Sequence, residues 1–156
     1  MLEKLERPDE VRRWKGRIPV SHRYTPGVAG DVFFTALRDR GVLLGSRCDS
    51  CDYTYVPARL FCERCFVELS ADAEVGPGGR LVSFTISSTG LEGEPLAQPV
   101  TIGLVRPDGA DAAIVHRIVE TGDEPLEIGQ HMEVVVKPEE ERTGSIHDIA
   151  GFRPTG

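Results

Sequence analysis

Four cysteines carry the most specific chemistry in this 156-residue sequence. Cys48 and Cys51 form one C-x-x-C pair and Cys62 and Cys65 another, separated by the ten residues Asp52 to Phe61. Each pair makes a tight knuckle that aims two sulfurs at one point. Two knuckles complete a tetrahedron suited to Zn2+, with bonds of about 2.3 Å. Iron in a rubredoxin-like site uses the same ligands, and two disulfides are the remaining alternative. Four sulfurs leave no coordination position for water or substrate, so a zinc held this way is structural. It also compensates for size. A segment this short lies below the roughly 40 residues at which unaided folding fails, and a structural zinc contributes on the order of 10–16 kcal/mol.

Little else in the chain reads as reactive. There is no G-x-S-x-G and no P-loop, and the glycines of Gly76 to Gly79 (GPGG) read as a turn. His116 falls inside a strand pattern beside Arg117, where a structural histidine is expected over a catalytic base; His22, His131 and His147 are scattered. No catalytic residue is assigned. With every cysteine on a metal, acyl-thioester chemistry would need an attacking thiol from another chain.

The elements that position the cysteines follow from hydrophobic period and turn residues. Pro8 opens a short helix carrying Val11 and Trp14, which Gly16 ends, and residues 17–30 read as an extended arm suited to wrap on a partner. A stronger helix starts with Asp31 as N-cap, buries Phe33, Phe34 and Leu37, and stops at Gly41. Val42 to Leu44 enters the cysteine module as a strand. Between the knuckles the pattern predicts a hairpin, Tyr53 to Val56 out, Pro57 as the bend, Leu60 and Phe61 back. Strands are predicted at Arg80–Ser88 (with Val82, Phe84 and Ile86 on one face), Val100–Val105, Ala112–Val119 and His131–Lys137, with a last edge strand in Ile146–Phe152. Glu139 to Glu141 reads as a solvated charge run. The expected organisation is a helical segment and arm over residues 1–45, a zinc ribbon over 46–70 and a small barrel over 71–156. An OB-fold suits the strand count, as would an SH3-like barrel or a small sandwich.

Net charge is −7 and the isoelectric point about 5.1. Nucleic-acid binders draw affinity from basic surfaces, so this balance argues against that class. The main basic concentration, Arg7, Arg12, Arg13, Lys15, Arg17 and Arg23, is diluted by Glu3, Glu6, Asp9 and Glu10. The first residues lack an apolar signal region, and no apolar run approaches the roughly 18 residues that span a bilayer. A cytoplasmic protein without a membrane partner is expected, and a reducing compartment favours metal ligation over disulfides.

The order of features is more specific than any one motif. DVFFTALRDRGVLL, the four-cysteine ribbon with YVPARLFC, a glycine-rich turn into RLVSFTIS, then VTIGLVRPDG, IGQHMEVVV and a terminal FRP follow one another. From Asp31 to Pro154 this resembles a family with an N-terminal helical segment, a rubredoxin-like zinc ribbon and a C-terminal OB-fold, long known as a domain of unknown function. The resemblance implies a mainly β chain with N-terminal helices and a five-stranded OB-fold barrel. It implies a non-catalytic subunit that docks on a thiolase-superfamily catalytic subunit in a hetero-oligomer and helps bind or pass acyl-CoA. The chain also resembles the companion subunit of a thiolase that cleaves an aromatic β-keto acyl-CoA such as benzoylsuccinyl-CoA. The metal role carries over to Cys48, Cys51, Cys62 and Cys65. The tip Pro57–Arg59 matches the family pattern, with Ala58 where proline is frequent, and residues 1–30 extend beyond shorter members. Arg59, Arg106 and Arg117 are the candidate acyl-CoA contacts. A stand-alone acyl-CoA or lipid carrier and a nucleic-acid-binding ribbon and OB-fold are the competing readings.

Overall fold

The computed structural model describes residues 24–90, 92–122 and 125–155. The short helix predicted after Pro8 and most of the predicted arm lie outside them. Helix α1 spans Gly27–Arg40. It is the one α-helix among the described residues, in a chain that is otherwise mainly β. Ala29, Phe33, Ala36 and Leu37 recur at helical spacing and are buried, which anchors one face of α1. That face explains why the helix starts four residues before the predicted Asp31: Ala29 packs one turn ahead of Phe33, and Pro26 adopts an αR conformation at the N-cap. The end is as predicted. Gly41 is left-handed (φ 70°) and its N–H returns to the Leu37 carbonyl at 3.0 Å. Arg142 closes the same end, donating from Nη1 to the Arg38 carbonyl at 3.3 Å and from Nε to the Lys137 carbonyl at 2.7 Å. A cation at a helix C-terminus meets the negative end of the helix dipole.

Strands β1 (Leu43–Cys48), β2 (Tyr53–Tyr55) and β3 (Ala73–Val75) make a small sheet in the order β2-β1-β3. The hairpin therefore differs from expectation. Tyr53–Tyr55 pairs back onto β1 across the first knuckle (Cys48 opposite Tyr53), while Phe61 bridges Glu68 across the second. Each C-x-x-C is the turn of its own hairpin, because a knuckle reverses the chain and sets its two flanks side by side.

Five further strands follow: β4 (Gly78–Thr89), β5 (Pro95–Pro107), β6 (Ile114–Arg117), β7 (His131–Val136) and β8 (Ile149–Pro154). Their order is β6-β5-β4-β7-β8, with every neighbouring pair antiparallel. A parallel bridge of Ile118 to Phe152, with the Val119 N–H on the Phe152 carbonyl at 2.8 Å, joins the first strand to the last. A five-stranded sheet closed this way is the OB-fold barrel. At the closure the chains nearly touch: a Cβ on Gly151 would lie 2.9 Å from the Arg117 carbonyl oxygen and 2.7 Å from Val119. Glycine is required there by space.

The inward face of β4 differs from the predicted Val82–Phe84–Ile86. Leu81 is buried, whereas Val82 and Ile86 are exposed. A bulge between Leu81 and Ser83 inserts Val82 as an extra residue, so the strict alternation read from the sequence shifts there. Ile146–Asp148 is a 3-10 turn rather than strand, and the edge strand starts at Ile149. One core runs from α1 (Phe33, Leu37) through Leu43, Leu44, Val56 and Ala58 into the barrel at Leu81, Val105, Met132, Ile149 and Phe152. Hydrogen bonds also tie β2 to the loop between β5 and β6: the Asp111 carboxylate accepts from the Thr54 N–H at 2.8 Å, and the Asp111 N–H donates to the Thr54 carbonyl at 3.0 Å.

Among the described residues, Asp148 is the buried charge. Burial alone would raise its pKa, but N–H groups of Thr143, Gly144 and Ser145 and the Thr143 hydroxyl all donate to it, and its pKa lies below the ordinary carboxylate value. With Ser145 it forms a capping box on the 3-10 turn that launches β8. Asp148→Asn should destabilise the chain by about 1–2 kcal/mol at neutral pH. A lowered folded pKa means the stabilisation is complete above the unfolded value of about 3.9 and is lost as pH falls through the folded value. The gap between wild type and Asp148→Asn, measured by urea unfolding from pH 6 to pH 3, should therefore narrow on acidification; a constant gap would refute the assignment.

Candidate metal centre

The knuckles are built alike. Asp52 (φ 49°) and Phe66 (φ 60°), each the residue after the second cysteine of its pair, both take the left-handed conformation that turns the chain back. Ser46 is fully buried between them, accepting from the Arg59 N–H at 3.0 Å and donating to the Arg59 carbonyl at 2.8 Å. Arg47 pairs with Asp49 and Asp52 on the outside of the first knuckle.

The four sulfurs all lie within 4.8 Å of one another. Cys48 Sγ is 3.6 Å from Cys65 Sγ, and Cys62 Sγ is 3.8 Å from Cys51 Sγ. These separations far exceed an S–S bond of about 2.05 Å. A tetrahedron with metal–sulfur bonds of about 2.3 Å has sulfur–sulfur edges of about 3.8 Å. The donor set fits one Zn2+ in both number and spacing, and the four cysteines form a zinc-ribbon site. Cys48 and Cys62 are buried, Cys51 is partly covered and Cys65 is exposed.

Without the ion the four thiols compete for protons. The Cys62 pKa falls to about 6, chiefly because the Tyr55 hydroxyl lies 3.3 Å from its sulfur and hydrogen-bonds it. The Arg64 N–H also points at that sulfur, at 3.4 Å. A hydrogen bond with Cys65, together with burial, pushes Cys51 up to about 12, and burial raises Cys48. Loading a divalent ion at neutral pH must therefore expel protons, and metal affinity must fall as pH falls.

Tyr55 is the residue that sequence reasoning left in a hairpin strand. It is 1% exposed, and its hydroxyl ends on a ligand sulfur. Its ring packs on Tyr53 at 4.7 Å between centroids, and two guanidiniums cover the pair, Arg59 over Tyr55 at 5.0 Å and Arg64 over Tyr53 at 4.0 Å. The available signal was a tyrosine seven residues before Cys62, which says nothing about which sulfur it reaches.

The three candidate arginines do not converge. Arg59 sits beside the metal centre, committed to Tyr55 and to Glu63 at 2.6 Å. Arg106 on β5 and Arg117 on β6 are exposed on the barrel; Arg117 pairs opposite Ile102, four residues from Arg106, which is about 14 Å of strand. His116 is half-buried, with Nδ1 buried and unpartnered and its ring edge-on to Phe152 at 6.4 Å; desolvation chiefly lowers its pKa. His131 and His147 are exposed, and His22 lies outside the described residues.

Elemental analysis should return one zinc per chain. Tyr55→Phe should keep that stoichiometry but release zinc to a chelator about tenfold faster, because it removes a hydrogen bond to a ligand sulfur; Tyr53→Phe, whose ring lacks that contact, is the control. Equal release rates would show that Tyr55 only fills space.

Two family models match in succession. The rubredoxin-like zinc ribbon domain of ChsH2 matches residues 35–70, and the C-terminal OB-fold domain of ChsH2 matches residues 72–137, together more than half of the chain. No curated protein matches the sequence. Among solved structures, a protein of unknown function from the DUF35 family of Sulfolobus solfataricus is 27% identical, over 82% of this chain and 84% of that one, with a TM-score of 0.60. A chain of the Ltp2-ChsH2(DUF35) aldolase has the same fold at 19% identity, over 88% of this chain and 98% of that one, with a TM-score of 0.55. With both of its domains matched in order on a four-sulfur ribbon and a closed five-stranded barrel, the chain belongs to the ChsH2 family of zinc-ribbon and OB-fold proteins.

Proposed function

We propose that this chain is a non-catalytic accessory subunit of a thiolase-superfamily enzyme, in a hetero-oligomer where it supports acyl-CoA binding or transfer and the stability of its partner. One likeness carries the reading: a chain of the same fold, matched over 98% of its length, belongs to an aldolase named for two proteins, Ltp2 and ChsH2. The chemistry of the ribbon agrees. Four sulfurs committed to one ion leave no thiol to attack a thioester, so the bond-making group comes from another chain. A β-keto acyl-CoA such as benzoylsuccinyl-CoA is the substrate class we assign to that partner, and the cytoplasm is its place.

The helix and ribbon also display apolar side chains that a lone chain has no use for. Val28 is 67% exposed and Phe61 56%, beside a cavity walled by Phe33, Phe34, Pro57 and Leu60. Phe66 is 78% exposed although it occupies a left-handed position, which is an outlier for a bulky residue and costs on the order of 1 kcal/mol. Glycine would serve the knuckle better, so the phenyl ring is kept for a contact outside this chain. We place the catalytic subunit on this surface.

Co-expressed with its partner, the chain should purify in a complex whose other member is identified by mass spectrometry as a thiolase-superfamily enzyme, and alone it should turn over no acyl-CoA. Thiolysis or condensation by the isolated chain would end the reading. Phe66→Gly should raise the melting temperature by a few degrees yet weaken the complex by about tenfold. An undiminished complex would move the docking surface elsewhere.

A further inference from the structure

Strand β4 outruns its neighbour β7. The two pair only at Gly78, Gly79 and Arg80, and Leu81 closes the contact by donating to the Gln130 carbonyl at 3.0 Å and accepting from the Gly129 N–H at 2.7 Å. Beyond that point β4 runs on to Thr89 beside β5 alone. Among the described residues, no backbone group meets the outer edge of residues 83–89. The register tells which groups stand on that edge. The Thr101 carbonyl accepts from the Ile118 N–H at 2.9 Å, so Thr101 turns its backbone groups away from β4. Ile86 lies opposite Thr101, and in an antiparallel pair of this kind both members face their backbone groups outward. The N–H and carbonyl of Ile86, and by alternation those of Phe84, are left on the open edge.

An open strand edge invites pairing with another chain, and proteins ordinarily blunt it with charge or proline. The far edge of this hairpin is blunted, since Pro95 and Pro99 of β5 have no N–H to offer. The β4 edge has neither device. Residues 81–90 (LVSFTISSTG) hold no charge and no proline, in a chain where 28% of residues are charged. They are instead rich in the β-branched and aromatic residues that favour strands. Ile86 is 60% exposed and Val82 40%. Past Ile86 and Thr101 the hairpin is two strands with no third beside them among the described residues, an arrangement that is marginal in water.

We propose that the open edge of β4 pairs antiparallel with the same edge of a second copy of this chain, about a twofold axis at Ile86. The absence of charge selects this occupant. A twofold lays the strand on its own reverse, so a charge at the axis would meet its like, and this stretch carries none. Centred on Ile86, the register sets Ile86 against Ile86 of the copy, Thr85 against Ser87 and Phe84 against Ser88. An apolar pair at the axis and a pair of hydroxyls beside it are both favourable cross-strand partners. The copy's strand then ends beside the loop at Gly129, where Ile128 is 70% exposed. The product is one four-stranded sheet, in the order β5-β4-β4-β5. This edge shares no residue with the helix and ribbon surface assigned to the catalytic subunit, so the pairing stands or falls independently of that reading.

The test uses the full zinc-loaded chain, with sedimentation and hydrogen exchange as readouts. The chain should sediment as a dimer, twice 17.1 kDa, at concentrations on the order of 100 µM. Exchange at the Phe84 and Ile86 amides should slow as the chain is concentrated, a measurement that needs no variant. Ile86→Lys sets two ammonium groups at the axis and should weaken dimerisation by about a hundredfold. Its zinc content, and its melting temperature in dilute solution, should match the wild type, because Ile86 is exposed in the single chain. Val115→Lys, at a residue 64% exposed on β6 and off the hairpin, should change dimerisation less than about twofold. Four results would overturn the proposal: a monomer at that concentration, a dimer that Ile86→Lys leaves intact, equal losses in Ile86→Lys and Val115→Lys, or protection of the two amides that appears only when the catalytic subunit is added. The last would give the edge to a strand of the partner.

Discussion

Four sulfurs within 4.8 Å of one another are the constraint on which the rest of this protein depends. As thiolates they repel, and as thiols they leave two hairpins with few apolar contacts between them. The core of the ribbon itself is little more than Cys48, Tyr55, Cys62 and Leu69. One divalent ion reverses both problems, supplying the attraction and a fixed geometry. The protein in turn shapes the site, with the Tyr55 hydroxyl and the Arg64 N–H stabilising charge on the Cys62 sulfur and Ser46 tying the two knuckles together.

From that centre the order propagates outward through packing, fastened at a few points by hydrogen bonds. Val56 and Ala58, in the segment between the knuckles, belong to the same apolar cluster as α1 and the barrel. The Thr54–Asp111 bonds fasten β2 to the loop between β5 and β6, and Arg142 fastens the end of α1 to the segment before β8. Helix, ribbon and barrel are thus coupled through one core. A disturbance at the metal centre reaches the barrel through a short chain of contacts.

The surface divides the labour. The ribbon and the start of α1 present apolar side chains, one of them in a strained backbone position, which suits a protein partner. The barrel presents charge of both signs, with Arg80 and Arg106 on its outer face beside Asp108 and Glu133.

Much of this was legible in the residues themselves. The cysteine spacing determined the metal geometry, since a C-x-x-C knuckle and a tetrahedral ion leave few other solutions, and Gly41 marked the end of α1 because only a left-handed residue closes that turn. The five strands of the barrel followed from alternation and turn residues, whereas β3, which pairs with β1, was not foreseen. The tertiary structure alone decided what depends on register and on non-local contact. The bulge at Val82 changed which residues of β4 face inward, each knuckle chose its own hairpin partner, and Tyr55 met Cys62 rather than another sulfur. Arg80 and Arg106, opposite each other on β4 and β5, lie 26 positions apart in the chain, so no local period links them. Side chains distant in sequence become neighbours only when strands pair, and pairing is set by the burial of the whole barrel.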